Sequence, residues 1–311
     1  MQQRIAITGA SGFIGGAFLA DRLEHTGTYE VRALVSRPGS EAVLRQRHPR
    51  AAIMPYTIGA GDVLAEPLQQ CDVLVHCGWS SVPGTATQDI HADLRSNVEG
   101  SLKLFRAAAS AGVRRIVFLS SGGTVYGDTG VSPIPESQPP MPIGAYGAAK
   151  LCAERYLEVI ADHYGLAHCI LRPGNVHGRT DGGARPQGVV EQWMLRAISD
   201  TPIDVWGDTG TIRDYVHISD MVQALHLAVR ADGPSGTFNV GTGVGTTLTT
   251  VLEELASLKG KLPAVNYHGA VPGTVPSNVL DTTLASEVLG FRARTTLREG
   301  MRHTWQRLTG A

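Results

Sequence analysis

The chain has few cysteines, no excess of charge of either sign and no long apolar run. Its 311 residues include 4 Cys, and 27 Lys plus Arg nearly balance 28 Asp plus Glu. This balance argues against a nucleic-acid partner, which a basic patch would attract. No apolar run approaches the roughly 20 residues of a membrane span, and the first residues lack the apolar core of a signal peptide. We therefore expect a cytoplasmic protein that binds neither nucleic acid nor membrane.

The cysteines and histidines show no metal-binding pattern. Cys71, Cys77, Cys152 and Cys169 match no zinc or redox spacing, so we interpret them as reduced thiols of the core in a cytosolic protein. The histidines lack paired ligand spacing as well. No metal site is expected.

Short β-rich apolar runs alternate with helical patterns in the first half of the chain. The patterns predict strands at 4–8, 30–35, 73–76, 115–120 and 167–171, and long helices at 93–111 and 145–164. Such alternation is typical of an α/β fold with a parallel sheet covered on both faces. The second half is less regular, and we expect its substrate-side segments to interleave with the sheet.

A glycine-rich turn follows the first predicted strand and opens the first helix. The segment Thr8–Gly15 has the spacing G-x-x-G-x-x-G. Glycines at such spacing allow a tight turn and a close approach of a pyrophosphate, and the helix N-terminus offers free N–H groups to the anion. The turn predicts dinucleotide binding, with the cofactor-binding residues Gly9, Ser11, Gly12, Phe13, Ile14 and Gly15.

The end of the second strand bears on the choice between NAD and NADP. An acidic residue there would bind the ribose 2′-hydroxyl of NAD, but the chain has Ser36 and Arg37. A small hydroxyl followed by a guanidinium suits a 2′-phosphate. The cofactor is therefore NAD or NADP, with NADP favoured, unless Arg37 is a solvated loop residue. We expect Asp62, with the following Val63, to contact the edge of the adenine ring. The alternative is that Asp62 is only a turn residue.

Tyr146 and Lys150 are four residues apart at the start of the predicted helix 145–164. This spacing places both side chains on one face. A phenol with a pKa of about 10 is a poor base at neutral pH. A neighbouring ammonium and the positive nicotinamide ring favour the phenolate. We predict that Tyr146 is the catalytic base and that Lys150 supports it and holds the nicotinamide ribose.

Together these residues resemble the extended short-chain dehydrogenase/reductase family, and most closely its NAD-dependent epimerase/dehydratase branch. The resemblance covers nearly the whole chain. Besides the glycine turn, Tyr146 and Lys150, it is carried by Asn97–Gly100, Ser120–Gly127, Leu171–Val176, Trp206–Asp208, Arg213–His217, Asn239–Gly241 and Val279–Asp281.

The resemblance implies a Rossmann-type doubly wound parallel sheet at 1–172 that carries NAD(P). It also implies a smaller, interleaved C-terminal region, mainly 173–311, that binds the substrate, with segments near 213–242 returning to the Rossmann domain. The implied enzyme is a nucleotide-sugar epimerase, most simply a 4-epimerase with a 4-keto intermediate. It would be a homodimer formed through helices 93–111 and 145–164.

By position in the family, Asn97 and Ser120 would bind the cofactor. Asn175 would contact the diphosphate or the sugar, Trp206 the base, and Arg213 the diphosphate of a nucleotide-diphosphate sugar. For Trp206 the alternative is a place in the core. For Arg213 the alternative is a salt bridge to Asp214 or another neighbour.

Three departures from the family pattern affect the expected chemistry. Gly122 stands where the family has a catalytic Ser or Thr, so Ser121 or Thr124 is the candidate replacement. The acid and base of the dehydratases fall on Gly123 and Thr124, which cannot eliminate water. Val271 stands near the place of an arginine that binds the diphosphate, so one contact is missing.

Two other functions remain open at this point. An NADPH-dependent reductase of 4-keto sugar nucleotides is favoured by Ser36 and Arg37. A cofactor-binding regulator without catalysis is favoured only by Gly122, and the intact Tyr146 and Lys150 argue against it.

Overall fold

The computed structural model describes residues 3–24, 29–36, 39–49, 51–56, 65–180, 188–269 and 273–310. Its strands are β1 (Gln3–Thr8), β2 (Tyr29–Val35), β3 (Ala52–Pro55), β4 (Val73–His76), β5 (Arg115–Leu119), β6 (Ala167–Pro173), β7 (Asn175–His177), β8 (Ile203–Trp206), β9 (Ile212–His217), β10 (Gly236–Val240), β11 (Gly245–Thr247), β12 (Val265–His268) and β13 (Ser277–Asn278). Its α-helices are α1 (Phe13–Glu24), α2 (Ser40–Arg47), α3 (Ala65–Leu68), α4 (Pro83–Ala86), α5 (Ile90–Asp93), α6 (Gly100–Ser110), α7 (Gly122–Val125), α8 (Ala145–Tyr164), α9 (Val189–Ile198), α10 (Ile218–Ala228), α11 (Leu248–Lys259) and α12 (Leu297–Thr309).

The central sheet has seven strands in the order β10-β6-β5-β4-β1-β2-β3. Strand β1 pairs in parallel with β2 on one side and with β4 on the other. The strand order therefore reverses between β1 and β4, which is where open α/β sheets bind their ligands. The predicted Rossmann-type parallel sheet is confirmed.

The middle of this sheet is fully buried. Every residue of β4 and of β5 is buried, as expected for strands that are covered on both faces. Leu74, Phe105, Phe118 and Leu157 belong to one apolar cluster that joins the sheet to helices α6 and α8. Each such side chain contributes roughly 1.5–3 kcal/mol through burial, so the cluster fixes α8 against the sheet.

The contacts divide the chain into two compact units. Unit 1 consists of Met1–Val125, Pro142–Arg172 and Val222–Phe238, and unit 2 of Tyr126–Met141, Pro173–Met221 and Asn239–Ala311. The segment 126–141, which the sequence placed in the first domain, thus lies in unit 2. The sequence predicted that segments near 213–242 return to the Rossmann domain, and of these residues 222–238 lie in unit 1.

Unit 2 contains short strands and its own apolar core. Strand β9 pairs in parallel with β7 and β13 and antiparallel with β11, and β8 pairs in parallel with β12. None of the helices in the described part of the chain has the length and apolar character needed to cross a membrane.

The predicted helix 93–111 is not a single α-helix. It starts in α5, passes through a π-helical segment at Leu94–Glu99 and continues as α6. Sequence periodicity did not reveal the change because the extra residue per turn does not alter the apolar pattern of α6. Segments of this kind are frequent at functional sites, and this one contains Asn97.

The glycine turn is closed by contacts that leave no room for side chains. Gly9 has a φ of +68°, and its carbonyl accepts a hydrogen bond of 2.8 Å from the N–H of Gly12. A Cβ on Gly15 would overlap the carbonyl oxygen of Gly9 and lie 2.9 Å from its carbonyl carbon. The third glycine is therefore required for α1 to pack against the end of β1.

We predict that Gly15→Ala destabilises the protein by more than about 1 kcal/mol, because the added methyl group forces backbone atoms apart. Urea denaturation measures this change. Gly84→Ala is the matched control, since no atom lies within 4 Å of the Cβ position at Gly84. Equal stability of the two variants would contradict the packing described for the turn.

Candidate functional site

The turn between β1 and α1 forms a surface of backbone atoms in unit 1. A Cβ on Gly9 would lie 2.7 Å from the amide nitrogen of Gly78, so this turn and the loop after β4 are in direct contact. Helix α1 begins at Phe13, with Ser11 and Gly12 before it and Ile14 after it. A helix N-terminus reached over glycine backbone binds phosphate oxygens through N–H groups and the helix dipole. These residues fit the pyrophosphate of a dinucleotide.

A buried histidine supports this edge of the sheet. His76 hydrogen-bonds through Nδ1 with Thr8 Oγ1 at 2.7 Å and through Nε2 with Ser101 Oγ at 2.9 Å. Burial and the nearby Lys150 lower its pKa to about 3, so the ring is neutral at physiological pH. His76 thus links the ends of β1 and β4 to α6, as a structural histidine does.

The side chain of Asn97 is saturated by contacts within the protein. Its Oδ1 accepts from the backbone N–H of Ser80 at 2.8 Å, and its Nδ2 donates to Asp93 Oδ1 at 2.8 Å and to Ser81 Oγ at 3.2 Å. Asn97 therefore holds the loop that follows β4. Direct binding of the cofactor by Asn97 stays a prediction and would require these bonds to rearrange.

Ser120 belongs to a buried charged cluster. Its hydroxyl donates to Glu154 Oε1, and Arg172 donates to both carboxylate oxygens of Glu154, at 3.1 and 2.6 Å. Glu154 and Arg172 are almost completely buried. A buried ion pair of this geometry fixes the groups that form it, so Ser120 positions the end of β5 and binding of the cofactor by its side chain stays a prediction.

The structure places Tyr146 and Lys150 in the first two turns of α8. Lys150 Nζ donates to the carbonyl oxygen of Leu119, at the end of β5, at 2.7 Å. Burial lowers the pKa of Lys150 to about 7, and the neighbouring Cys77, Glu154 and Asp93 partly oppose the shift. An ammonium has three donors, so two remain available for hydroxyls of a bound ribose.

The surroundings of Tyr146 favour its neutral form, and the ionisation expected of it stays a prediction. Burial, and then the carboxylate of Asp93, raise the pKa of Tyr146 above its usual value. Lys150 Nζ lies 5.8 Å from the centre of the Tyr146 ring, a distance at which its charge favours the phenolate.

Thr124 is the stronger of the two candidates to replace the hydroxyl missing at Gly122. Its Oγ1 is buried and has no hydrogen-bond partner. Its backbone packs against Gly147, next to Tyr146, where a Cβ would lie 3.0 Å from the carbonyl carbon of Thr124. Ser121 is partly exposed, and its carbonyl oxygen accepts the N–H groups of Thr124 and Val125.

One of the residues predicted to bind the adenosine of the cofactor, Ser36, lies within the described part of the chain. Ser36 is exposed and directly follows β2. Arg37, Asp62 and Val63 lie outside the described residues, so the contacts expected of them stay predictions.

Unit 2 contains a cavity of about 330 Å³ whose wall includes Asn175, Trp206, Arg213, His177, Glu191 and Tyr215. Cavities of this size accommodate small organic ligands. The three residues predicted to bind substrate are thus brought together in one place.

The contacts of Arg213 and the exposure of Trp206 argue against two alternatives, a salt bridge from Arg213 to Asp214 and a place in the core for Trp206. Arg213 donates to the carbonyl oxygens of Ile212 and Val275, whereas Asp214 accepts from Thr242 and Gly243. The alternative of a salt bridge between Arg213 and Asp214 is therefore wrong, and binding of an anion by the half-buried guanidinium stays a prediction. Trp206 is 58% exposed and so does not belong to the core.

Sequence reasoning missed Glu191, one of two polar residues of this cavity wall that have unpaired buried atoms. Both ring nitrogens of His177 and the Oε2 atom of Glu191 are buried without a partner. Glu191 Oε1 accepts from the backbone N–H of Gly178 at 2.5 Å. Burial lowers the pKa of His177 to about 3 and raises that of Glu191. The sequence shows an acidic residue, Glu191, in the first turn of α9. It does not show that this side chain faces the cavity.

Comparison with known proteins decides the family. Residues 5–241 match the model of the NAD dependent epimerase/dehydratase family. The chain belongs to the NAD dependent epimerase/dehydratase family. UDP-glucose 4-epimerase of Mycolicibacterium smegmatis is 32% identical over 309 residues, which cover 97% of each protein. The crystal structure of UDP-glucose 4-epimerase from Thermotoga maritima with UDP-glucose has a TM-score of 0.90 and 31% identity and covers 99% of both chains. The dTDP-4-dehydro-6-deoxyglucose reductase of Escherichia coli is 28% identical and covers 96% of this chain and 95% of its own length.

Within this family the chain keeps the tyrosine and the lysine and departs at the catalytic hydroxyl. Gly122 is buried and begins α7, so no side chain at that position reaches a ligand. Val271, the position of the missing arginine, lies outside the described residues. Arg213 is the one Arg or Lys residue in the described part of the cavity wall, and its contact with a diphosphate stays a prediction.

We predict that Lys150→Met changes how the stability of the cofactor-free protein depends on pH. The pKa of Lys150 is about 7 when folded against an ordinary value of 10.5, so between these values the unfolded chain binds the extra proton. The free energy of unfolding of the wild type therefore increases as pH rises through this window. At and below pH 7 it is lowered by the full penalty for burying the charged ammonium. The gain is on the order of a few kcal/mol.

Urea denaturation at pH 7 and at pH 9.5 measures the difference. Lys150→Met loses this dependence, while Lys103→Met, which removes an exposed ammonium paired with Glu99, keeps it. Parallel pH dependence in all three proteins would contradict the shifted pKa.

Proposed function

We propose that the protein is an NAD-dependent nucleotide-sugar 4-epimerase. The observation that carries the proposal is the placement of Tyr146 and Lys150 on α8, with the ammonium of Lys150 at the carboxyl end of β5. This end of the sheet also holds the glycine turn that fits a dinucleotide. An epimerase needs such a pair because it removes a proton from a sugar hydroxyl and later returns it.

Each functional group has a defined role in the proposal. The Tyr146 phenolate takes the proton from the sugar 4-hydroxyl. It returns the proton after the 4-keto sugar has rotated in the site to present its other face. Thr124 Oγ1, which is buried and unpaired, donates a hydrogen bond to the same sugar oxygen. Lys150 holds the nicotinamide ribose and lowers the pKa of the phenol by its charge. Bound NAD supplies the hydride acceptor and donor.

Unit 2 is proposed to bind the nucleotide diphosphate. Trp206 offers an exposed ring face to a base. Arg213 matches a diphosphate through its guanidinium, and Asn175 offers an amide in the same cavity wall. The related epimerase from Thermotoga maritima carries UDP-glucose, which makes UDP-glucose the first substrate to test.

The sequence favoured NADP through Ser36 and Arg37, but the family is named for NAD. We propose NAD as the working cofactor, with NADP as the alternative that the test below separates. We also propose a location in the cytoplasm. The cysteines Cys71, Cys77, Cys152 and Cys169 are all free thiols, which is the usual state in that reducing compartment.

A reductase of 4-keto sugar nucleotides is the second candidate. It is supported by the similarity to the Escherichia coli reductase and uses the same tyrosine and lysine. The two functions differ in how they treat the cofactor. An epimerase returns its cofactor to the starting state in every turnover, whereas a reductase consumes one reduced nicotinamide for each product.

We expect the purified protein to interconvert UDP-glucose and UDP-galactose without net change in absorbance at 340 nm, and native mass spectrometry to show bound NAD. Tyr146→Phe should lose at least about 100-fold in kcat, because its ring keeps its packing but loses the general base. It should still bind NAD. Stoichiometric loss of NADPH with a 4-keto sugar, and no interconversion, would replace the epimerase by the reductase.

We further propose a homodimer that uses α8. Its Tyr156 and Val159 side chains are 47% and 64% exposed, and Ile90 and Leu94, on segments that pack against α8, are also exposed. Exposed apolar groups of this kind mark protein interfaces.

We predict that Val159→Glu shifts the protein from dimer to monomer, because a buried carboxylate without a partner opposes association. Light scattering measures the mass. Val244→Glu, which changes an equally exposed valine in unit 2, should remain dimeric. A monomeric wild type, or a dimeric Val159→Glu, would rule out this interface.

A further inference from the structure

Trp79 lies in the loop after β4 and contacts the residues of the proposed reaction. Its ring centre is 6.2 Å from that of Tyr146 in an edge-to-face arrangement and 6.0 Å from that of Phe118. The indole is partly buried against the core of unit 1. No motif in the sequence singled out this residue.

The indole ring covers the ammonium of Lys150. Lys150 Nζ lies 3.8 Å from the centre of the Trp79 ring, compared with 4.9 Å for Phe118 and 5.8 Å for Tyr146. The negative face of an aromatic ring attracts a cation, and indole does so best. The only hydrogen bond of this ammonium within the described part of the chain goes to Leu119 O. Trp79 thus compensates for the burial of the ammonium together with this hydrogen bond and the carboxyl groups of Glu154 and Asp93.

The nitrogen of the same indole has no acceptor. Trp79 Nε1 is buried and lacks a hydrogen-bond partner. A buried N–H group without an acceptor is destabilising and rare in native proteins. Thr124 Oγ1 is in the same state, and its backbone packs beside Tyr146. Two polar atoms near the Tyr146 ring therefore lack the partners that a bound ligand with oxygen atoms would supply.

We propose that Trp79 is a positioning residue of the reaction, whose ring face holds the ammonium of Lys150 and whose N–H donates to an oxygen of the bound ligand. The inference rests on the proposed function, because it assumes that Lys150 and Tyr146 act on a ligand. The oxygen belongs either to the cofactor or to the sugar nucleotide. A tryptophan that only filled space would need neither the position over Nζ nor an unpaired N–H.

Two variants separate the two roles. Trp79→Phe keeps an aromatic ring but removes the N–H, and we expect kcat/KM to fall about 10-fold, the effect of one lost hydrogen bond. Trp79→Leu also removes the ring, and we expect the Lys150-dependent limb of the pH–rate profile to move down by about 0.5–1 unit. Trp305→Phe, on α12 in unit 2, is the control and should leave both quantities unchanged.

The kinetic constants identify the oxygen. A higher KM for UDP-glucose with normal retention of NAD places it on the sugar nucleotide, and loss of NAD on gel filtration places it on the cofactor. Either result supports the proposal. If Trp79→Phe and Trp79→Leu match Trp305→Phe in kcat, KM and pH profile, the proposal is wrong.

Tryptophan fluorescence tests the contact between ring and ammonium without substrate. We expect the emission of wild type minus Trp79→Phe to titrate with a midpoint near pH 7, and Lys150→Met to abolish the transition. His76, Cys77 and Tyr146 surround the same ammonium, but the pKa of His76 is about 3, that of Cys77 is about 12 and that of Tyr146 is raised. The carboxyl groups that face it are Asp93 and Glu154.

The fluorescence result also separates this inference from the proposed function. A difference emission that stays constant between pH 5 and pH 9, or that titrates equally in Lys150→Met, would overturn the role of the ring. An intact titration in a protein without epimerase activity would overturn the proposed function and leave the contact between Trp79 and Lys150 standing.

Discussion

The buried ammonium of Lys150 is the constraint around which the site in unit 1 is arranged. It has left water for a position with one hydrogen bond, to Leu119 O, and the face of the Trp79 ring. Burial of a charge without a full set of partners is unfavourable. A protein keeps such a group when the charge is needed for binding or chemistry, and under the proposed function that need is the ionisation of the Tyr146 phenol.

The need to bind a ligand also accounts for buried polar atoms that lack partners. Thr124 Oγ1 and Trp79 Nε1 in unit 1, and His177 and Glu191 Oε2 in unit 2, are buried without hydrogen bonds. Each is unfavourable in the free protein, because buried polar groups are normally paired. They occur beside the tyrosine and in the wall of the cavity, and a further one, the Tyr56 hydroxyl, lies in the core of unit 1. A ligand that carries hydroxyl and phosphate oxygens, such as the proposed sugar nucleotide, can satisfy groups of this kind.

Local patterns in the sequence predicted the parts of the fold that local forces determine. Strand β4 and helix α8 have the predicted bounds because a short apolar run defines β4 and the glycine Gly165 ends α8. Helix α12 was not predicted, although Thr296 and Glu299 form a capping box at its start. The short strands β7, β11 and β13 have no such pattern, since pairing with β9 forms them.

The site was predictable as a set of residues but not as a set of contacts. Tyr146 and Lys150 were found because their spacing on one helix has a chemical meaning. The roles of Asn97 and Ser120 depend on partners far away in the chain, such as Ser80 and Glu154, which no local pattern shows. The position of Trp79 over Lys150 depends on the register of β4 against β5 and is visible only in the folded chain.

The charge state of Lys150 can be measured directly by NMR. The sequence contains 4 lysines, so protein labelled with ¹³C at lysine Cε gives few signals, and Lys150→Met assigns the one of interest. In the cofactor-free protein this signal should titrate with a midpoint near pH 7, as burial of the ammonium requires. A midpoint at the ordinary value of 10.5 would mean that the ammonium is solvated, and the arrangement described around it would be wrong.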